Sequence, residues 1–320
     1  MADYDNPKLD DAARAGWLYY IAGKTQDEIA QKLGVSRPTA QRLVSLCRSE
    51  GLITFRMNHP IAECMELAKR LTEEFELVYC DVVPSEGAWP DVSSTVPEAA
   101  AMLIERHLRL RVATVLAIGT GRTMRASVQR VSPLNGSIHR LVALVGHIGP
   151  DGSASPFDAL IKLSETVGAQ HFPLLLPLYL SSPEERDKLL SIATMQRIHQ
   201  LAANADLWLT GISDLASDSP LAKEGFLSRD ELFELNRLGA IGEIGGWAFD
   251  ADGRIVDGST NSRVTSVAPQ IGVSRPRICV ASGARKLTPL QAALRGRIVN
   301  GIITDEEMAR RLLGTASELI

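Results

Sequence analysis

The stretch Thr25–Val44, TQDEIAQKLGVSRPTAQRLV, constrains the chain more than any other. Thr25 can accept a backbone N–H at a helix start. Glu28, three residues on, can return the bond, which is the pattern of a capping box. Ile29, Ala30 and Leu33 give that helix one apolar face. Gly34 ends it, because the tight turn needs a residue that tolerates positive φ. Val35 fills the turn. Ser36 caps a second helix, and Pro38 sits in its first turn, where no N–H is missed. Ala40, Leu43, Val44 and Cys47 form its buried stripe, and the small Ala30 and Ala40 let the two helices cross closely. An upstream helix with Ala13, Trp17, Leu18 and Ile21 completes a three-helix core. The pattern predicts a helix-turn-helix. Gly51-Leu-Ile-Thr-Phe-Arg-Met then predicts a turn and a short strand, a winged-helix-like finish.

The outer face of the second helix carries Arg37, Thr39, Gln41, Arg42 and Ser45. Arginine can make paired bonds to guanine, and glutamine to adenine. Lys32 and Arg48 sit where phosphate contacts are expected. The bland alternative is a helical hairpin inside an enzyme, with a solvated polar face. Charge favours the nucleic-acid reading locally and not globally. The chain has a net charge of −4, yet residues 24–56 hold 6 Lys/Arg against 3 Asp/Glu. The expected partner is therefore double-stranded operator DNA, met by one segment rather than by the whole surface.

The 320 residues suit two domains. Asn58-His59-Pro60 breaks the chain, so the expected division is a DNA-binding domain over 1–57, a linker and connector helix over 58–76, and an α/β domain over 77–320. The 61–76 helix either packs on its own domain or connects and dimerises. From 77 on, apolar runs of strand length alternate with amphipathic stretches. The runs are Leu77–Val83, Val112–Ile118, Ile138–Val145, Phe172–Leu180, Leu207–Ile212, Ile278–Ala281 and Ile298–Ile303. Helices are expected over 96–110, 156–169, 183–203, 228–237, 288–296 and 305–313. Continuous apolar strands between helices predict a parallel sheet covered on both faces. Further capping boxes are expected at Ser182/Glu185, Ser228/Glu231 and Thr304/Glu307.

Glycine-rich segments follow several of these strands. Gly119-Thr-Gly-Arg-Thr-Met opens a helix, where backbone N–H groups can hold an anion. Thr120, Arg122 and Thr123 could add donors; the same loop would also serve as a plain tight turn. It matches neither the P-loop nor the G-x-G-x-x-G spacing. Gly146-His-Ile-Gly, Gly211-Ile-Ser, Gly239-Ala-Ile-Gly-Glu-Ile-Gly-Gly-Trp and Ser282-Gly-Ala-Arg-Lys are the others. Ligands gather at strand ends in open α/β sheets, so a shared pocket is expected. Glu243 could accept bonds from sugar hydroxyls or be a solvated surface group. Lys286 could contact a phosphate or sugar oxygen or be solvated. Asp250/Asp252-Gly253 reads as a hairpin turn, and Trp89, Trp208 and Trp247 as packing residues, although Trp247 could instead lie near a sugar.

Other chemistry is poorly supported. The six histidines form no metal-ligand spacing, no G-x-S-x-G elbow occurs, and no cofactor is implied. The four cysteines are far apart, so reduced thiols are expected. The acidic N-terminus lacks a signal-peptide core, and the apolar runs are too short to span a bilayer. A cytoplasmic protein without a membrane partner is the expectation.

The order of these segments resembles the SorC family of sugar-responsive bacterial transcription regulators over nearly the whole chain. The resemblance runs through Thr25–Val44 with Gly51-Leu-Ile, Ile118–Met124, Leu144–Gly149, Asp206–Ile212, Gly239–Ile244, Ala281–Lys286, Ala292-Ala-Leu-Arg-Gly and Ile303-Thr-Asp-Glu. It implies a sensor domain with a sugar-phosphate isomerase/CoA transferase-like fold that binds a sugar, polyol or sugar phosphate. It also implies a homodimer or homotetramer, and a regulator rather than a catalyst. The implied pocket holds Gly119, Thr120, Gly121, Arg122, Thr123, Gly146, His147, Glu243 and Lys286. His147 stands where glycine is commoner in the family, and Glu243 where aspartate is commoner. Ile61-Ala-Glu-Cys is similar to the polyol-responsive branch, which includes erythritol regulators. The alternative is a sugar-phosphate isomerase-like enzyme with an accessory N-terminal domain. It needs a positioned acid/base pair, and no carboxylate pair at convincing spacing is present.

Overall fold

The computed structural model describes residues 7–53, 60–85, 94–146, 148–153 and 158–314. His147, Trp89, residues 54–59 and the first residues of the expected 156–169 helix lie outside them. The chain divides into two compact units, Met1–His59 and Pro60–Ile320.

In the first unit, α1 (Pro7–Gly16) runs into a π-helical turn at Trp17–Ile21, followed by α2 (Gln26–Leu33) and α3 (Arg37–Ser49). The Thr25/Glu28 capping box forms with both bonds in place, Glu28 N–H to Thr25 Oγ1 and Thr25 N–H to Glu28 Oε2. Gly34 takes φ 65° and closes α2. Ser36 accepts the Thr39 N–H at the start of α3. Ile29, Ala30, Ala40, Leu43, Val44 and Cys47 are buried together with Ala12 and Ala15. The upstream helix contributes differently from expectation. Trp17 and Ile21 are 57% and 65% exposed, and Ala13 is exposed. The π-helical turn adds a residue per turn and shifts the apolar phase, so Ala12 and Ala15 face the core instead.

The second unit begins with α4 (Pro60–Phe75), β1 (Tyr79–Val83), α5 (Thr95–Leu108), β2 (Val115–Ile118), α6 (Arg122–Gln129), β3 (Arg140–Ala143), α7 (Leu160–Val167) and β4 (Gln170–Phe172). It continues with α8 (Pro183–Leu190), α9 (Ala193–Ala203), β5 (Leu207–Thr210), β6 (Ser213–Asp214), α10 (Pro220–Lys223) and α11 (Arg229–Arg237). It closes with β7 (Ala240–Ile244), β8 (Trp247–Asp250), β9 (Arg277–Val280), α12 (Leu287–Arg295), β10 (Gly301–Asp305) and α13 (Glu306–Leu312).

Seven strands form one sheet in the order β1-β10-β9-β5-β2-β3-β4, and every pairing is parallel. The central strands β2, β5 and β9 are buried at every position, which is why they read as continuous apolar runs. From β2 the chain steps outward to β3 and β4, then returns with β5 on the other side of β2. The strand order therefore reverses between β2 and β5, and a crevice opens at their carboxyl ends. The 58–76 stretch expected as a connector includes α4, whose Cys64, Leu67 and Leu71 are buried in the same cluster as Ile302, Met308 and Leu312.

Some expectations fail locally. The 172–180 run is strand only at its start. Pro173 and Pro177 withhold ladder donors, although Leu174, Leu176, Leu178 and Leu180 still alternate inward. The 183–203 helix breaks at Ser191-Ile192. Thr304 does not cap α13. Its hydroxyl donates to Ala281 O, and Asp305 caps the helix by accepting Met308 N–H. A second sheet, β6-β7-β8, is antiparallel and was not anticipated. Gly245 and Gly246, at φ 57° and 86°, make its β7–β8 turn.

Candidate functional site

The α2–turn–α3 segment offers a compact polar face. Arg37, Gln41, Arg42, Ser45, Lys32 and Arg48 are all exposed, while the opposite face of α3 is buried. Arg37 Nε lies 3.4 Å from Asp27 Oδ1, with both side chains about two-thirds exposed, a pairing that water screens. Thr39 is half-buried, and its hydroxyl lies 2.8 Å from Ser36 Oγ, so it helps cap the helix that carries the others.

The second unit holds a pocket at the crevice between β2 and β5. Its walls come from Thr120–Thr123 after β2, Val145-Gly146 after β3, Thr210–Asp214 after β5, and Ser282, Gly283, Arg285 and Lys286 after β9. Glu243, Gly245 and Gly246 of the β7–β8 hairpin close one side, and Pro220, Leu221, Glu224 and Phe226 another. The unfilled space is about 1200 Å³, its open mouth included.

At its base α6 begins. Gly121 occupies the N-cap position at φ 109° and supplies no side-chain cap, so the first N–H groups of α6 are left for another acceptor. Lys286 Nζ lies 3.2 Å from Thr123 Oγ1, one residue into that helix start. This set is suited to an oxyanion. Glu243 is 8% exposed and its Oε2 accepts the Gly246 N–H at 2.8 Å. Burial raises its carboxyl to about 7, against the Gly246 bond and with the Asp214 and Glu224 charges pushing the same way. Burial also raises Glu224, which Arg122 partly offsets. Tyr179 holds the hairpin from outside by donating its hydroxyl to Gly246 O at 2.7 Å. Cys279 is buried in β9, and burial pushes its thiol up to about 12. Among the described residues, no group of three or more His, Cys, Asp or Glu could hold a metal, and no helix is long and apolar enough to cross a membrane.

A family described as "Putative sugar-binding domain" matches residues 59–314, and a homeodomain-like helix-turn-helix family matches 6–53. The chain belongs to the sugar-binding transcriptional regulators. Relatives of this SorC type match it end to end. The erythritol catabolism regulatory protein of Brucella abortus is 28% identical over 98% of each chain. The transcriptional regulator LsrR of Klebsiella pneumoniae is 30% identical over 95% of this chain and 93% of its own. The full-length sorbitol operon regulator of Klebsiella pneumoniae shares the fold, with a TM-score of 0.70 and 24% identity, over 96% of this chain and all of that one. The isomerase alternative gives way, because the matching relatives are named as regulators.

For this sugar-binding regulator, the structure brings Thr120, Gly121, Arg122, Thr123, Gly146, Glu243 and Lys286 into one pocket. Gly119 lies outside its lining. A Cβ there would stand 2.8 Å from Thr210 Oγ1, so this glycine serves the close approach of β2 to β5. Gly146 lines the pocket and is also needed for packing, since a Cβ would stand 2.5 Å from Leu176 O. His147 is outside the described residues. Asp214, Glu224, Arg285 and Phe226 line the pocket and were not singled out from sequence. The Gly211-Ile-Ser segment pointed to the first of these, being one residue short of Asp214.

Proposed function

We propose that a phosphorylated sugar or polyol binds this pocket and changes how tightly the N-terminal unit holds its operator. One observation carries the effector class. The uncapped start of α6, the Thr123 hydroxyl and Lys286 converge at the crevice where the sheet order reverses. A phosphate there would gain N–H bonds and a charge-assisted bond. Glu243 and Asp214 supply acceptors for hydroxyls further along the ligand. An uncharged polyol is the second reading. It is favoured by the carboxylates in the lining and by likeness to a regulator named for erythritol catabolism.

On the DNA side, Arg37, Gln41, Arg42 and Ser45 read base edges and Lys32 and Arg48 meet phosphates, with Thr39 supporting the helix. One such face offers few contacts, so a homodimer or homotetramer would place paired recognition helices about one DNA turn apart. The expected setting is the cytoplasm.

Thermal melts with a panel of sugars, polyols and their phosphates test the effector class, since a ligand selective for the native state raises the melting temperature. A hit should also alter operator affinity in a mobility-shift titration. Light scattering of the same sample should return a multiple of the 34.7 kDa chain. A panel with no stabilising member, or a stabilising ligand that leaves operator affinity unchanged, contradicts the proposal.

A further inference from the structure

Among the described residues, three cationic side chains line the pocket: Arg122, Arg285 and Lys286. The Arg285 guanidinium is taken up by two carboxylates. Its Nε and Nη2 donate to Asp214 at 2.7 and 2.9 Å, and its Nη1 and Nη2 donate to Asp218 at 2.9 and 2.7 Å. A planar guanidinium presents its donors in fixed forks, and here both forks are engaged. Asp214 is itself held in place. It pairs with Gly242 in the β6–β7 ladder and accepts the Ala216 N–H at 3.1 Å. Arg122 is exposed, with the Glu224 carboxylate as its opposing charge. Lys286 Nζ lies 3.2 Å from the Thr123 hydroxyl at the start of α6.

We infer that the Asp214–Arg285–Asp218 cluster is a specificity filter, admitting polyhydroxy ligands with one anionic group and turning away those with two. This rests on the carbohydrate reading above. The first anionic group docks at the α6 start beside Thr123 and Lys286. A second meets either Arg285, already engaged by two carboxylates, or Arg122, whose charge Glu224 opposes. To reach Arg285, the group must displace Asp214, or Asp218, whose other cation is Lys223 at 3.6 Å; in either case a carboxylate gives up its Arg285 bonds beside the incoming anion. Glu224 adds like charge around the same space. Hydroxyls on the rest of the ligand meet no such conflict, because carboxylates accept their hydrogen bonds. The favoured class is therefore sugar or polyol monophosphates. The rejected class is bisphosphates and phosphorylated sugar acids. Exclusion by unpaired charge is a recognised route to specificity.

Matched pairs that differ by one anionic group test the filter in calorimetry on the full chain. The probes are erythritol 4-phosphate against 4-phosphoerythronate, and fructose 6-phosphate against fructose 1,6-bisphosphate. In any pair that binds, the one-anion member should bind at least about ten-fold tighter. Asp214→Asn and Asp218→Asn each loosen the hold on Arg285. They should narrow that gap at least about three-fold by strengthening the two-anion member. Asp218 is 58% exposed, so its variant reports even where Asp214→Asn does not fold. Equal or tighter wild-type binding of the two-anion member overturns the filter and leaves the carbohydrate reading standing. A gap unmoved in Asp218→Asn overturns it too. If no member of either pair binds, both the filter and the phosphorylated-effector reading fall.

Discussion

The two binding surfaces are built on opposite plans. On the DNA-binding face, the candidate residues fall within one stretch, Lys32 to Arg48, and most stand in solvent. In the pocket, they come from segments spread between Thr120 and Lys286, range from exposed Arg122 to buried Glu243, and include the Lys286–Thr123 contact and the Glu243 bond to Gly246 of the hairpin. Substitutions on the exposed face should therefore act nearly independently. Those in the pocket should couple, because each group sets the charge or geometry of its neighbours.

The largest effect tests how strongly burial has altered the pocket. Glu243 ionises near 4.5 when unfolded but near 7 in the native chain. Below the first value both states hold the proton. Between the two, only the native state holds it, so stability falls as pH rises through that window, by up to about 3 kcal/mol. In Glu243→Gln this contribution should vanish, so the difference between wild-type and variant melting curves should change across pH 4.5–8. A constant difference would mean that Glu243 is solvated like a residue of the DNA-binding face.

A somewhat smaller effect is expected for Lys286→Ala. Loss of a charge-assisted bond should weaken a phosphorylated effector by about 1.5–3 kcal/mol, while operator binding without effector stays unchanged. A loss confined to operator binding would break the division between the two surfaces.

Arg42→Ala should cost about 1–3 kcal/mol on the specific operator and leave effector calorimetry untouched. Gln41→Ala should act on the specific site alone, since a neutral side chain releases no counterions. Unchanged operator affinity in both variants would place the recognition face elsewhere.

The same contrast explains what could be read from the sequence. The helix-turn-helix is legible because its determinants lie within twenty residues: Thr25 and Glu28 cap, Gly34 turns, Ser36 caps again. The parallel sheet is legible because strands covered on both faces are apolar throughout. Glu243 and Lys286 were found as strand-end residues in glycine-rich segments. The Arg285 cluster was not, because Asp214 and Asp218 lie some seventy residues away and nothing local marks the pairing. The small antiparallel sheet was missed for a different reason. Gly245-Gly246 is a valid two-residue hairpin signal, but among so many glycines it read as part of a ligand loop. Trp17 and Ile21 misled through periodicity, since one π-helical turn shifts the phase that a 3.6-residue repeat assumes.

Among the described residues, the sheet pairs its first strand with its last: β1 lies at the edge, and its neighbour in that sheet is β10. On a ribosome this sets an order of events. The helix-turn-helix core draws on residues between Ala12 and Ile53, so it can form once that short stretch has emerged. Strand β1 must wait for more than two hundred further residues before Gly301–Asp305 arrives to receive it. Helix α4, buried against the same late-arriving segment, waits with it. The nascent regulator thus presents a finished DNA-reading head well before the part of its sensor built on β1 can close, and that closure is timed by the arrival of Gly301–Asp305.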